Sequence, residues 1–394
     1  MRPLLAALAV ALAVVSPAVA AAPDDLSTNS LDRAALLALP SVYRVEVTMH
    51  VQGLRTKDGT VLTIPPAARV FQEVGTAFAV APGGWLVSAA HVAAPDATRI
   101  AALSYQSRQR ARGRQISEKA ATDWVRKTGA RAVNGRVVGR EITQADAGAG
   151  ALTSRSYMAM DVVASHQADL VAMRIDLPAA PALALDESAS IGTPVATIGF
   201  GVGSVLDGPA RGKLVPAVRR GRLGRTGALD AQDGLPDRSA TLISVPVEPG
   251  DSGAPVIDAE GHVRGVVIIR TDDGGVAEQA TEVRQLMEGI GVTPAPGPTA
   301  TLFRGAMADF WNLNFAGAQK GFTATLAAFG GHTLAGVERR RAEELAAGDY
   351  RLEGTERRRG VLLAVGVLAI VAALVCGLAL ARPGRGRPGD RRVR

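Results

Sequence analysis

Gly250-Asp251-Ser252-Gly253-Ala254-Pro255 sets a serine between two glycines, directly before an apolar run that starts at Val256. A nucleophilic hydroxyl needs exposure, and it needs backbone N–H groups that converge where charge develops on the attacked carbonyl oxygen. Glycine permits both, because it tolerates φ > 0 and lets a substrate approach the backbone closely. A serine also needs a base. Of the five histidines (50, 91, 166, 262 and 332), only His91 ends a small-residue run, Ser88-Ala89-Ala90, after an apolar strand pattern. An acid to orient that imidazole is offered by Asp169, which opens the alternating stretch Leu170-Val171-Ala172-Met173-Arg174-Ile175. Asp161 and Asp176 compete for that role. His50 alternates with Arg44, Glu46 and Thr48 and reads as solvated, and His166 reads as a loop residue. Asp251 reads as the partner of a buried amide or cation rather than as a catalyst.

These residues must be positioned by strands. Gly75 to Val80 and Trp85 to Ala89 form two apolar runs joined by a turn at Ala81-Pro82-Gly83-Gly84. A further hairpin is marked at Asp58-Gly59. After Asp169, strand patterns recur at 195–198, 214–218, 240–245, 256–257 and 263–269. Gly199-Phe200-Gly201-Val202-Gly203 has the glycine spacing of a dinucleotide loop, but no helix-opening pattern or acidic partner follows, and it reads as a turn between strands.

Three motifs in the order His, Asp, Ser resemble the trypsin/chymotrypsin-like serine proteases, most closely their disulfide-free bacterial members of the HtrA type. α/β-Hydrolases place serine first and subtilisins place aspartate first. The resemblance covers residues 41–280. It implies an all-β chymotrypsin-like double β-barrel in which Ser252 is the nucleophile and His91 the general base. Asp169 would then fix the imidazole tautomer. The N–H groups of Gly250 and Ser252 would form the oxyanion hole. A hydrophobic enclosure for the substrate is implied near Val266 to Ile269, lined by Val267 and Ile268. The position that serves as pocket base in trypsin-like relatives falls on Pro246, which argues against selection of Arg or Lys. The chemistry calls for no cofactor and no metal. No PDZ domain is read after the barrel, in contrast to most HtrA-type relatives.

The ends of the chain carry other signals. Residues 1–20 have Arg2, an apolar run from Leu4 to Val15 and the ending Ala18-Val19-Ala20, which is the pattern of a cleaved secretory signal. Val361 to Ala381 contains no charged residue and is long enough to span the roughly 30 Å hydrocarbon layer. Arginines crowd the tail 382–394, and with the exported N-terminal part they orient the span with its tail in the cytoplasm. The expected protein is thus a single-pass cell-membrane protein whose catalytic domain faces outside the cytoplasm. Residues 357–394 hold nine Arg and one Asp, so this C-terminal stretch, with the arginines on both sides of the span, accounts for the net charge of +7. The single cysteine, Cys376, falls within the span, so the exported part has no disulfide and relies on its core. A composition rich in Ala, Arg and Gly fits a bacterium with a GC-rich genome.

Residues 96–157 read as a basic insertion in the protease domain, with a helix expected over 114–127 and a loop over 148–156. Within it, 99–140 carry eleven Lys/Arg against two acidic residues, a stretch suited to an anionic envelope partner. Nucleic acid is disfavoured, since only Tyr105 and Trp124 are available to stack on bases. Beyond 280, residues 281–356 read as a linker, Pro-rich over 291–300, and a helical segment. There Ala318, Phe322, Leu326 and Ala335 have the spacing of one tetratricopeptide unit or of an ordinary helical hairpin. The sequence therefore favours a membrane-anchored serine endopeptidase acting on protein or peptide substrates of the envelope. A non-catalytic protease-fold sensor or scaffold, and an oligomeric protease/chaperone, are the alternatives.

Overall fold

The computed structural model describes residues 29–144, 155–188, 190–201, 214, 216–229 and 235–347. Strict alternation builds its first sheet. In β1 (Val42–His50), Tyr43, Val45, Val47 and Met49 are fully buried while Arg44, Glu46, Thr48 and His50 face the other way. The neighbouring strands are β2 (Gly53–Arg55), β3 (Val61–Thr63), β4 (Val70–Ala81), β5 (Trp85–Ala89), β6 (Arg131–Val133), β7 (Arg136–Gln144), β8 (Ser156–Met158), β9 (Met160–Ala164) and β10 (Leu170–Arg174). Seven of them pair in the order β8-β7-β1-β4-β5-β10-β9. The two edge strands are consecutive in the chain, separated only by Ala159, whose N–H donates to Arg140 O at 3.0 Å. One chain segment thus touches both edges, and the sheet rolls up. A small sheet, β3-β2-β6, lies beside it.

The second barrel is closed. Strands β11 (Pro194–Gly199), β12 (Ala217–Leu229), β13 (Arg238–Ile243), β14 (Pro255–Ile257), β15 (Val263–Thr271) and β16 (Gly274–Gln279) pair in the order β11-β12-β13-β16-β15-β14. Closure leaves no free edge, and the interior fills with Val195, Leu223, Ile243, Val245, Val256, Val267 and Ala277. The strand expected from 214 begins only at Ala217. β16 had no sequence signature, because Gly-Gly-Val-Ala-Glu-Gln carries one β-branched residue and an acid.

Helices fill the seams. α1 (Ser30–Ala38) is capped by Asn29, whose side chain accepts from Leu31 N, and buries Leu31, Ala34, Ala35 and Ala38. His91 rides on a single turn, α2 (Ala90–Ala93). Next come α3 (Ala97–Arg110) and α4 (Glu118–Thr128), which fill the first part of 96–157, while β7 and β8 of the same stretch pair in the seven-stranded sheet and β6 in the small one. The helix expected at 114–127 starts later because Ser117 caps it, accepting from Ala120 N. α3 was missed because its Arg, Gln and Ser residues mask a buried face of Ile100, Ala101 and Leu103. Of the loop expected over 148–156, residues 148–154 lie outside the described residues.

α5 (Ala280–Gly289) begins where the sequence placed the linker. It instead seats Val283, Leu286 and Met287 in a cluster shared by strands of both barrels. The Pro-rich stretch is pinned as well, with Ala295 N donating to Val80 O at 3.0 Å. α6 (Pro298–Trp311), α7 (Phe315–Ala328) and α8 (Thr333–Ala347) follow, and α6 and α7 pack as a hairpin. Ala318, Phe322 and Ala335 are fully buried and Leu326 partly so. Among the described residues no helix is long and apolar enough to cross a membrane. The leader 1–20, the apolar run 361–381 with Cys376, and the tail 382–394 lie outside the described residues.

Candidate active site

β5 delivers His91 by ending in small residues that let α2 turn tightly beside β10. Asp169 closes the turn between β9 and β10, where Ser165 Oγ accepts from the N–H groups of Gln167 and Ala168, both at 3.1 Å. Three bonds then tie Asp169 to α2, two of them to His91 itself. Ala90 N donates to Asp169 O at 3.1 Å, and His91 N donates to Asp169 Oδ1 at 2.9 Å. Asp169 Oδ2 lies 2.6 Å from His91 Nδ1. An ionised carboxylate there assigns the proton to Nδ1 and leaves the Nε2 lone pair free to act as a base. Burial pulls the imidazole pKa down, while the charge and hydrogen bond of Asp169 raise it. More distant Arg99 lowers it and Glu118 raises it, and the balance lies above the ordinary histidine value. The competing acids are elsewhere: Asp161 pairs with Arg174, and Asp176 is exposed at the far end of β10. His166 sits exposed in the β9–β10 turn, and His50 is only half-buried, with an Nδ1 that is buried and finds no partner among the described residues.

Ser252 lies on the loop between β13 and β14. Gly253 has φ +90°, and a methyl group there would collide with Thr76 O, Ser88 Oγ and the backbone of Ala89. Only glycine lets the serine loop come this close to the strand end that carries His91. Gly75 serves the same convergence from the other side: a Cβ there would lie 2.7 Å from Val92 Cγ1 and 2.9 Å from Ser252 O. The serine and histidine segments therefore meet over β4. Ser252 is half-buried, and its hydroxyl makes no hydrogen bond to His91 among the described residues. Such bonds are often long in unliganded sites and tighten around substrate. The N–H groups of Gly250 and Ser252 likewise have no acceptor among the described residues, which leaves both available to an incoming oxyanion.

Thr76, unforeseen in the sequence, holds the loop. Its N–H donates to Ser252 O at 2.8 Å and its hydroxyl to Gly250 O at 2.9 Å, while Phe200 N donates to that hydroxyl at 3.0 Å. Gly199, Phe200 and Gly201 thus pack behind the serine loop, and the rest of that glycine run, 202–203, lies outside the described residues. Asp251 is buried and receives Glu248 N at 2.8 Å and Arg219 Nη1 at 2.9 Å. That is the cation partner expected of it. The three suggested pocket residues are not brought together: Pro246 is exposed, Val267 is in the second barrel's core, and Ile268 packs with the first-barrel cluster. The register of β15 against β16 shifts between Val267 and Ile269, and Val267 and Ile268 pack in different clusters.

One further cluster has metal-ligand residue types: Asp186, Asp258 and His262 bring donor atoms within 4.8 Å of one another. Arg264 already supplies the cation there, 2.8 Å from Asp186 and 2.6 Å from Asp258.

A rolled sheet and a closed barrel, with histidine and aspartate on one and a glycine-flanked serine on the other, make a trypsin-like all-β fold. Residues 75–266 match the family model of the trypsin-like peptidase domain. Among solved structures it is similar to the Rv3671c protease of M. tuberculosis in its active form, at 19% identity over 70% of this chain and 91% of that one, TM-score 0.41. It is similar to the HtrA-type protease AlgW with a decapeptide, at 18% identity over 67% of this chain and 76% of that one, TM-score 0.39. Deg5 matches at 17% identity over 64% of this chain and 90% of that one, TM-score 0.37. The comparison with curated proteins finds no match.

Proposed function

We propose that this protein is a serine endopeptidase that cleaves extracytoplasmic proteins through His91, Asp169 and Ser252. The observation that carries the reading is the double tie of Asp169 to His91, formed where the glycine-flanked serine loop meets α2. In the proposed reaction Ser252 Oγ attacks the scissile carbonyl as its proton passes to His91 Nε2. The N–H groups of Gly250 and Ser252 stabilise the oxyanion, each by about 2.7–4 kcal/mol. His91 returns the proton to the leaving amine, an acyl-enzyme remains, and water attacks it by the same route in reverse.

The chain signals of the termini add the setting: export by the leader 1–20, anchoring by 361–381 and a cytoplasmic tail, in a bacterial cell membrane. The exposed arginines at the end of α3, Arg110, Arg112 and Arg114, suit an anionic envelope partner. A binding module would not need an imidazole held in one tautomer, which favours the enzyme over a sensor or scaffold. Ser252→Ala should abolish hydrolysis of a casein-like protein and labelling by a fluorophosphonate while circular dichroism stays unchanged. Turnover retained in that variant would refute the assignment, and a wild-type protein that resists the label would favour the scaffold.

A further inference from the structure

Behind Asp169 lies a second carboxylate that the proposed chemistry does not use. Glu278, on β16, is fully buried, and its Oε1 accepts from Asp169 N at 3.0 Å. The same oxygen accepts from Arg238 Nε at 2.6 Å, from the neighbouring strand β13. Glu278 Oε2 and Arg238 Nη1 are buried with no partner among the described residues. Such a pair is a poor device for stability. Buried ion pairs replaced by well-packed apolar residues often leave a fold as stable or more so. Its placement points to a different use, since its carboxylate end abuts the backbone of the residue that orients His91.

We propose that the ionised Glu278–Arg238 pair is a positioning device for the triad: Glu278 anchors the Asp169 backbone, and Arg238 cancels the charge that this brings. The inference rests on the reading of Ser252, His91 and Asp169 as a catalytic set. With Glu278 holding its N–H and Ala90 its carbonyl oxygen, Asp169 is fixed at both main-chain polar groups. From that fixed backbone its carboxylate reaches both His91 N and His91 Nδ1. The charges facing Glu278 are Asp169, Arg238 and Glu282 on α5. Those facing His91 are Asp169, Arg99 and Glu118. Burial pushes the Glu278 carboxyl up, and the Asp169 N–H and the Arg238 guanidinium oppose it.

The test follows the pH dependence of fluorophosphonate labelling in the full-length protein, with Ser252→Ala as the blank. Glu278→Gln leaves Arg238 uncompensated beside Asp169, which weakens that carboxylate's hold on the imidazolium, so the acid limb should move down by roughly one pH unit. Adding Arg238→Gln removes the stranded charge and should return the limb to its wild-type position. Glu278→Asp keeps the charge but withdraws it from Asp169 N, so the limb should stay while the plateau rate falls by about tenfold. A purely structural pair would lower thermal stability and plateau rate in all variants without moving the limb, and that result overturns the proposal. If Glu278→Gln fails to fold, a folded Glu278→Asp with wild-type plateau rate overturns it equally. Labelling that persists in Ser252→Ala would instead sink the catalytic reading itself.

Discussion

His332 gives the fold a titratable weak point far from the chemistry. It caps α8, with Nδ1 accepting from Ala335 N at 3.1 Å, and its ring packs on Phe303 at 4.3 Å between centroids. It is only 3% exposed, and burial pushes its pKa down to about 3. A proton on Nδ1 would also confront the N–H groups at the start of the helix. In the unfolded chain the group titrates near 6.5, so below that pH the unfolded state binds a proton that the native state refuses. Stability from this residue is therefore complete above pH 6.5 and is lost as pH falls toward 3. At pH 5 the loss is about 2 kcal/mol, at ~1.36 kcal/mol per pH unit below 6.5. His332→Asn keeps a capping oxygen and removes the titration. Urea unfolding of both proteins at pH 7 and pH 5 measures the difference. The wild type should lose about 2 kcal/mol more than the variant between the two pH values. Equal losses would show that His332 is not held neutral in the folded protein.

Because Asp169 holds the His91 pKa above its ordinary value, turnover should reach half its maximum at a pH above 6.5, and a profile flat from pH 5 to 8 would contradict the role of His91. Gly253→Ala adds a methyl group against Thr76 O and Ser88 Oγ, so it should cut turnover by at least about 100-fold in a protein that still folds, and undiminished turnover would show that the loop has room to move. Converting exposed Arg110, Arg112 and Arg114 to Glu should weaken binding to anionic vesicles by roughly tenfold or more while hydrolysis of a small ester is unchanged. Vesicle binding equal to that of wild type in 0.1 M salt would remove the anionic partner from consideration.

The parts of the site that announce themselves locally were readable in the sequence. Gly250 to Pro255 needs glycine for its own backbone, His91 ends a strand, and Asp169 begins one. The rest depends on contacts between segments far apart in the chain. Thr76 matters through Gly250, and Glu278 through Asp169, and neither has a local pattern. α3 and β16 were hidden because burial by the surrounding fold overrides the weak preferences of their residues. The pocket suggestion failed for the opposite reason. It came from the resemblance, whereas the register shift in β15 leaves Val267 and Ile268 in different clusters.

The bonds around Thr76 also fix when the site can exist. Its hydroxyl bridges residues 174 positions apart in the chain, and His91 meets Asp169 across 78. Contacts of such sequence separation close late, after local hairpins and helices have formed. A half-made chain that has emerged only through Asp169 already contains the base and acid of the proposed triad, yet it lacks the proposed nucleophile. Ser252 comes into register only when the second barrel has closed against β4. On the proposed function, proteolytic competence waits for the two halves of the domain to meet, and the segments that fold earlier are out of danger while they are still exposed.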